Sequence, residues 1–455
     1  MKTKKSTFTK ITTLFLIILF IGCSTQKKDV YTNLMEFSNT IKIINTHEHQ
    51  RTPSELEYTK YNFWTLVHKS YLWADVISAG ANNFNIEIVN KSSLDEMWDL
   101  YGDNLNFTAN TSYYQHFLEG IKKCYNYNES TFTKEGIESL SEQIEEKYRD
   151  YGSWFDECFH KFNFETMLLD QYWAPHNYKI DTEYFTLIFQ ANKLVYDIGP
   201  AKLVYTKQNS DFNEFAKSSA IEKIKTLDDY LSFADFMIKR AKQNGAVGIK
   251  NSMAYGRSLD YEDVTEERAK VLFNKSPEIN KTEEKELQDF LFHWILDKAA
   301  QYNLPVQIHT GYLAGNGNQL DNGKPIKLNN LFLLHPNTKF DMFHGGFPWT
   351  GEFVALGKMF PNVYLNLVWL PQISKQRAIV TFDEMLDCVP YNKFFWGGDC
   401  HFIGETVGSL EFGKQIVCEV LAKRIENGQM DMATAKKIIS AVFNENASRL
   451  YQLGE

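Results

Sequence analysis

Short apolar runs that stop at a histidine or an aspartate recur along this chain, and their recurrence limits the folds open to it. The first is Ile41 to Asn45, which runs into Thr46-His47-Glu48-His49-Gln50. Side chains two apart on a strand point the same way, so His47 and His49 can aim at one point beyond the strand's end. Neutral imidazole is the commonest metal ligand. Further runs read as strands at Phe164–Leu169, Phe185–Asn192 and 246–250, the last ending at Lys250. Pro305 to His309 and Lys339 to His344 each stop at a histidine, Val363–Leu367 ends near Trp369, and Lys393 to Asp399 stops at an aspartate.

Between these runs lie helical patterns. Leu227 to Ala241 carries a 3.6-period apolar face that closes at Gly245, and Thr282 is expected to cap a helix running to Tyr302. Further helices read over 351–360 and 432–443. Alternation of strand and helix predicts a parallel sheet. With eight such strands the expected fold is α/β, a (β/α)8 TIM barrel in which every strand's C-terminal end faces one mouth.

The stretch from about 51 to 160 breaks the alternation. It reads as helices at 63–74, 94–98, 113–125 and 134–148 with Asn- and Gly-rich joints, too long for a simple crossover. We expect a helical insertion after strand one that covers the barrel mouth, the alternative being a separate helical domain. His68, His116 and His160 stand here at no ligand spacing and read as structural or exposed.

The N-terminus reads as targeting rather than fold. Lys2, Lys4, Lys5 and Lys10 precede an apolar run from Ile11 to Gly22, too short to span a membrane. Phe20-Ile21-Gly22-Cys23 has the form of a lipobox, with Phe20 an unusual first residue. The expectation is a lipoprotein signal peptide over 1–22, lipidation at Cys23, a tether over 23–40 whose polar start is Ser24 to Asp29, and the barrel from 41 to 455. Such a protein would be lipid-anchored in the bacterial cell envelope, in the periplasm or at the cell surface. Cys124, Cys158, Cys388, Cys400 and Cys418 show no Cys-x-x-Cys spacing and read as buried, unpaired thiols. A net charge of -9 and no basic stripe beyond the N-terminus argue against nucleic acid as a partner. The expected partners are a small-molecule substrate and the membrane, with a homo-oligomer an open option.

The residues around the strand ends resemble the amidohydrolase superfamily, in particular its amidohydrolase-related branch of decarboxylases, hydrolases and uronate-isomerase-like proteins. Asn45-Thr46-His47-Glu48-His49, Gly248 to Tyr255, Leu304 to Gly311, Phe340 to Trp349 with Pro361 to Tyr364, and Phe395 to Asp399 carry the resemblance. It implies that His47, His49, His309 and Asp399 hold a divalent metal, Zn foremost with Mn or Fe possible, and that Asp399 and His344 are catalytic. His344 would polarise the substrate or transfer a proton. Lys250 is open between a carboxylated bridge of two metals and a free ammonium that binds a substrate carboxylate with Tyr255 and Arg257. Asn45 and Asn366 depart from the acidic residues common at these places, and His401 reads as a loop residue. The implied activity is hydrolysis of a C–N or C–O bond of a small substrate through a metal-activated water. The alternatives are uronate-isomerase-like isomerisation, nonoxidative decarboxylation, or binding without catalysis. Against the isomerase stands Thr310-Gly311-Tyr312-Leu313, where an arginine-containing segment is expected.

Overall fold

In the computed structural model, which describes residues 30–56, 61–196, 210–276 and 278–454, eight strands lie side by side in the order β1 to β8, all parallel. They are β1 Ile43–Glu48, β2 Phe164–Asp170, β3 Phe185–Gln190, β4 Gly248–Asn251, β5 Val306–Ile308, β6 Phe340–Met342, β7 Val363–Asn366 and β8 Phe394–Phe395. The chain after β8 closes the ring against β1: the Asp399 N–H donates to the His47 carbonyl at 2.8 Å, and the His49 N–H to the Cys400 carbonyl at 3.0 Å. This is the expected (β/α)8 barrel.

Its interior is built by the inward residues of short strands. Ile44, Leu168, Ile188 and Phe395 pack with Leu450 and Tyr451 of the C-terminal helix to plug the bottom. A polar layer lies above them. Gln307 donates to the Thr46 carbonyl at 2.9 Å, while Asn366 donates to Thr46 Oγ1 and to Asp341 Oδ2. Tyr451 also donates to Asp341 Oδ2, at 2.6 Å. Burial pushes the Asp341 carboxyl up to about 7 despite these bonds.

Between β1 and β2 come seven helices, Phe63–Lys69, Leu72–Ser78, Ile86–Lys91, Leu94–Phe107, Ser112–Cys124, Lys134–Arg149 and Tyr151–Lys161. The expected single helix over 63–74 is two, because Ser70 is extended and ends the first. The insertion shares the main apolar core with the barrel. Its anchor is the crossing of Ser112–Cys124 on the Ile403–Glu426 helix. A Cβ on Gly120 would collide with the Gly404 carbonyl, and one on Gly408 with the His116 carbonyl, so glycine alone permits this backbone approach. Buried Glu405 then ties two segments together, accepting from the N–H of Tyr71 at 3.0 Å and of His401 at 3.2 Å.

Smaller differences have local causes. The long helix before β5 is capped by Asn280, whose side chain accepts from Thr282 and Glu283 N–H, so Thr282 is inside the helix. The tether expected over 23–40 gives way within the described residues to helix at 30–38 with Leu34 fully buried. The signal peptide and Cys23 lie outside the described residues. Among those described, no helix is long and apolar enough to cross a membrane. The five cysteines named above are unpaired, four buried and Cys388 half-buried. His116 is buried against Glu405 at 3.6 Å, His68 is half-buried and His160 exposed.

Candidate metal centre

At the mouth, β1 delivers His47 and His49 to the same point, and the turn after β8 delivers Asp399. The three form a compact group of ligand atoms, all within 4.8 Å of one another. Nε2 of His47 and of His49 are 3.2 Å apart. Asp399 Oδ1 lies 3.5 Å from the first and 3.1 Å from the second. Metal–ligand bonds of about 2.0–2.1 Å in tetrahedral geometry place neighbouring ligands about 3.3 Å apart, so these edges suit one divalent ion.

The proton inventory points the same way. A carbonyl oxygen can only accept, so a ring nitrogen bonded to one must carry the hydrogen. His49 Nδ1–H therefore donates to the Asp170 carbonyl at 2.9 Å, which leaves its Nε2 facing Asp399. Burial works against the charged form of His49, but the hydrogen bond and charge of Asp399 lift it above the ordinary histidine range. Burial also opposes charge on Asp399, yet the His49 bond and the nearby histidines hold its carboxyl well below the usual range. His47 is held well below the histidine range, first by burial and then by Lys250.

His309 and His344 form a second pair. His309 Nε2–H donates to the Tyr312 carbonyl at 2.8 Å, and His344 Nδ1–H to the Val368 carbonyl at 3.1 Å. The remaining nitrogens, His309 Nδ1 and His344 Nε2, face each other 3.0 Å apart with a lone pair on each. Burial holds His309 well below the histidine range and His344 down at about 3, so protonation does not relieve the clash at neutral pH.

Two of the expected site residues stand apart from that group. His309 does not join the compact group of His47, His49 and Asp399; its Nε2–H is held by Tyr312, and the lone pair on its Nδ1 faces His344. His344 is fully buried and does not border the cavity; it stands behind His309, with its Nδ1 3.8 Å from Asp399 Oδ2. His344 and Asp399 share a strained backbone, with φ of 63° and 57°, and Trp369 after β7 has φ of 64°. Non-glycine residues pay for this conformation, and it clusters at functional sites. Trp369 lies edge-on to His344 at 5.1 Å and packs on Tyr71 of the insertion at 4.7 Å.

The centre opens into a cavity of about 680 Å³ bordered by Tyr71, Asp170, Tyr172, Lys250, Tyr255 and His401 among others. Lys250 is on its floor, 2 % exposed, and burial brings its ammonium down to about 8. Tyr255 is on the rim, its hydroxyl accepting from the Ala314 N–H at 3.0 Å. Arg257, expected beside them, is elsewhere. Its guanidinium pairs with Asp289 at 2.5 Å, donates to the Asp260 carbonyl and lies on the Tyr261 ring, because a fully buried carboxylate offers more than an open mouth. It does not border the cavity.

Asn45 and Asn366 support the centre from below. Asn45 donates to Glu48 Oε1 at 2.5 Å and accepts the Gly398 N–H at 2.8 Å, which fixes β1 against the Asp399 turn. Asp170 was not singled out in the sequence, although it closes the apolar run Met167-Leu168-Leu169 as Asp399 closes its own. His401, read as a loop residue, also borders the cavity, with its ring 5.8 Å from that of His49.

Fold and site together define a (β/α)8-barrel protein with a candidate metal centre at its mouth. The sequence model of the amidohydrolase family matches residues 229–453, a little under half of the chain. Protein fluG of Emericella nidulans is 28% identical over 256 residues, 52% of this chain, and the match spans only 29% of that protein's length. Two solved structures overlay with a TM-score of 0.70 at 14% identity: uronate isomerase of Thermotoga maritima, covering 93% of this chain and 97% of its own, and glucuronate isomerase of Caulobacter crescentus, covering 94% and 95%. A Lactobacillus casei protein assigned as a metal-dependent hydrolase overlays with a TM-score of 0.60 at 18% identity, covering 92% of this chain and 97% of its own. At these identities the overlays speak for the fold.

Proposed function

We propose that the protein is a metal-dependent hydrolase that cleaves a C–N or C–O bond of a small substrate. The convergence of His47, His49 and Asp399 at the floor of a substrate-sized cavity carries this reading. Mixed imidazole and carboxylate donors suit Zn, with Mn and Fe served by the same set. When bound, such an ion acts as a Lewis acid and brings the pKa of water toward neutrality. Asp399 holds the proton released on attack and returns it to the leaving nitrogen or oxygen. His309, backed by His344, borders the cavity and bounds the substrate beside the centre. The Lys250 ammonium takes a carboxylate of the substrate, and the Tyr255 ring bounds it at the rim.

A second reading, isomerisation of a uronate on the same centre, is supported by the two isomerase overlays at higher TM-score than the hydrolase. The missing arginine segment after His309 weighs against it. Metal analysis of the purified chain with assays on amides, lactones and uronates tests both. We expect bound divalent metal, lost in His47→Ala and His49→Ala, and turnover of an amide or lactone. Turnover of uronates alone selects isomerisation; full metal content in both variants overturns the centre.

A further inference from the structure

The polar groups around the cavity are mostly committed to one another. Gln190 and Asn192 both donate to Ser252 Oγ, and the Ser252 N–H returns to Asn192 Oδ1. Tyr196 donates to the Met253 carbonyl, and Tyr255 is engaged by Ala314. Asp399 is committed to the two histidines. Among the described residues, Asp170 Oδ1 is the one buried carboxylate oxygen of this lining with no hydrogen-bond partner, on a residue 1 % exposed.

Leaving a buried carboxylate oxygen unpaired is unfavourable, so the arrangement makes sense if a partner comes with the ligand. Asp170 ends β2 and borders the cavity with His49, Asp399 and Lys250. Its backbone carbonyl already receives His49 Nδ1–H, and its side chain is outside the compact ligand group. Carboxylate and ammonium thus border one floor, a pattern that selects a ligand carrying a donor and a carboxylate.

We propose that Asp170 is a specificity-determining residue that accepts a hydrogen bond from a hydroxyl or ammonium group of the substrate, close to the carboxylate held by Lys250. This rests on the reading above for the role of Lys250 and adds the substrate class: hydroxy acids or amino acids and their acyl derivatives. A ligand without a donor leaves Asp170 unpaired and is rejected, the kind of discrimination that buried polar groups impose strongly.

Binding of succinate, malate and aspartate to the metal-loaded full chain, measured by calorimetry, tests this without needing turnover. The three share two carboxylates; malate adds a hydroxyl and aspartate an ammonium. We expect malate or aspartate to bind at least about tenfold tighter than succinate, as one lost hydrogen bond to a charged group implies. Asp170→Ala should erase that preference with metal content unchanged. Asp170→Asn, which keeps an acceptor without the charge, should keep a preference for malate and lose one for aspartate. Equal binding of all three to the wild type, a preference that survives in Asp170→Ala, or loss of metal in both variants overturns the proposal. A failure of the hydrolase reading shows instead in the turnover assays, which these binding measurements do not use.

Discussion

The Lys250 ammonium stands 3.2 Å from Nε2 of His47, so a cation already leans on one of the three atoms that would hold the metal. Nζ also lies 3.9 Å from the centre of the Phe343 ring, whose π-face offsets part of the loss of water around the charge. The lysine is therefore built to stay, yet it repels any ion bound beside it.

Lys250→Met keeps most of the volume and removes the charge. Metal affinity should rise by about tenfold or more, since a unit charge about 4 Å away at a protein-like dielectric is worth several kcal/mol. Competition with a chelator of known affinity reads this. A fall in affinity would mean instead that Lys250 is carboxylated and itself a ligand.

Asp399→Asn keeps shape but loses both charge and base, so activity should fall at least about 10²–10⁴-fold, with weakened metal binding. His344→Ala should keep the metal and lose activity in a similar range, because His309 loses the neighbour on its Nδ1. Metal content and kcat measured on the same preparations separate the two. If His344→Ala empties the centre, strand six supplies a ligand.

Arg257→Ala should destabilise the fold by about 1.5–3 kcal/mol, the range for a lost hydrogen bond to a charged group, because Asp289 loses the guanidinium but keeps Lys285 at 2.8 Å and the Glu262 N–H. Denaturant unfolding measures it. KM of the surviving folded enzyme should stay within about twofold, because Arg257 does not border the cavity.

Asp341 titrates at about 7 in the folded chain, against about 3.9 when unfolded. Between these values the folded state keeps a proton that the unfolded state has released, so stability falls as pH rises through the window. The wild type should lose on the order of 3 kcal/mol more than Asp341→Asn between pH 4 and 8. Parallel stability curves for the two proteins would assign the slope to other groups.

The N-terminal reading remains a proposal: a lipid on Cys23 anchors the protein in the cell envelope. Cys23→Ala should move it from the membrane to the soluble fraction or block its processing. Fractionation with mass spectrometry of the N-terminus decides, and unchanged membrane partitioning in the variant rules the anchor out.

Much of this architecture was legible in the sequence because barrel strands report themselves twice, as apolar runs and as the polar residue at their ends. His47, His49 and Asp399 were readable in this way, and so were His309 and His344 as neighbours. What separated the roles of the last two was the carbonyls they face, Tyr312 and Val368, and backbone oxygens carry no sequence signal. Arg257 misled because its partner, Asp289, comes from a helix that begins 24 residues later at Lys281. Asp170 had the same strand-end signal as Asp399 but no histidine beside it. The break at Ser70 and the cap at Asn280 are ordinary boundary shifts.

The glycine crossing between Gly120, Gly404 and Gly408 has a consequence for how ligands come and go. It fastens the roof to the helix that starts four residues after Asp399, and Glu405 rivets Tyr71 to the same segment. Lifting the roof like a hatch would drag a metal ligand with it. Traffic into the chamber therefore belongs to the opposite threshold, where Tyr172 and Tyr255 stand 53 % and 44 % exposed, and the roof behaves as masonry.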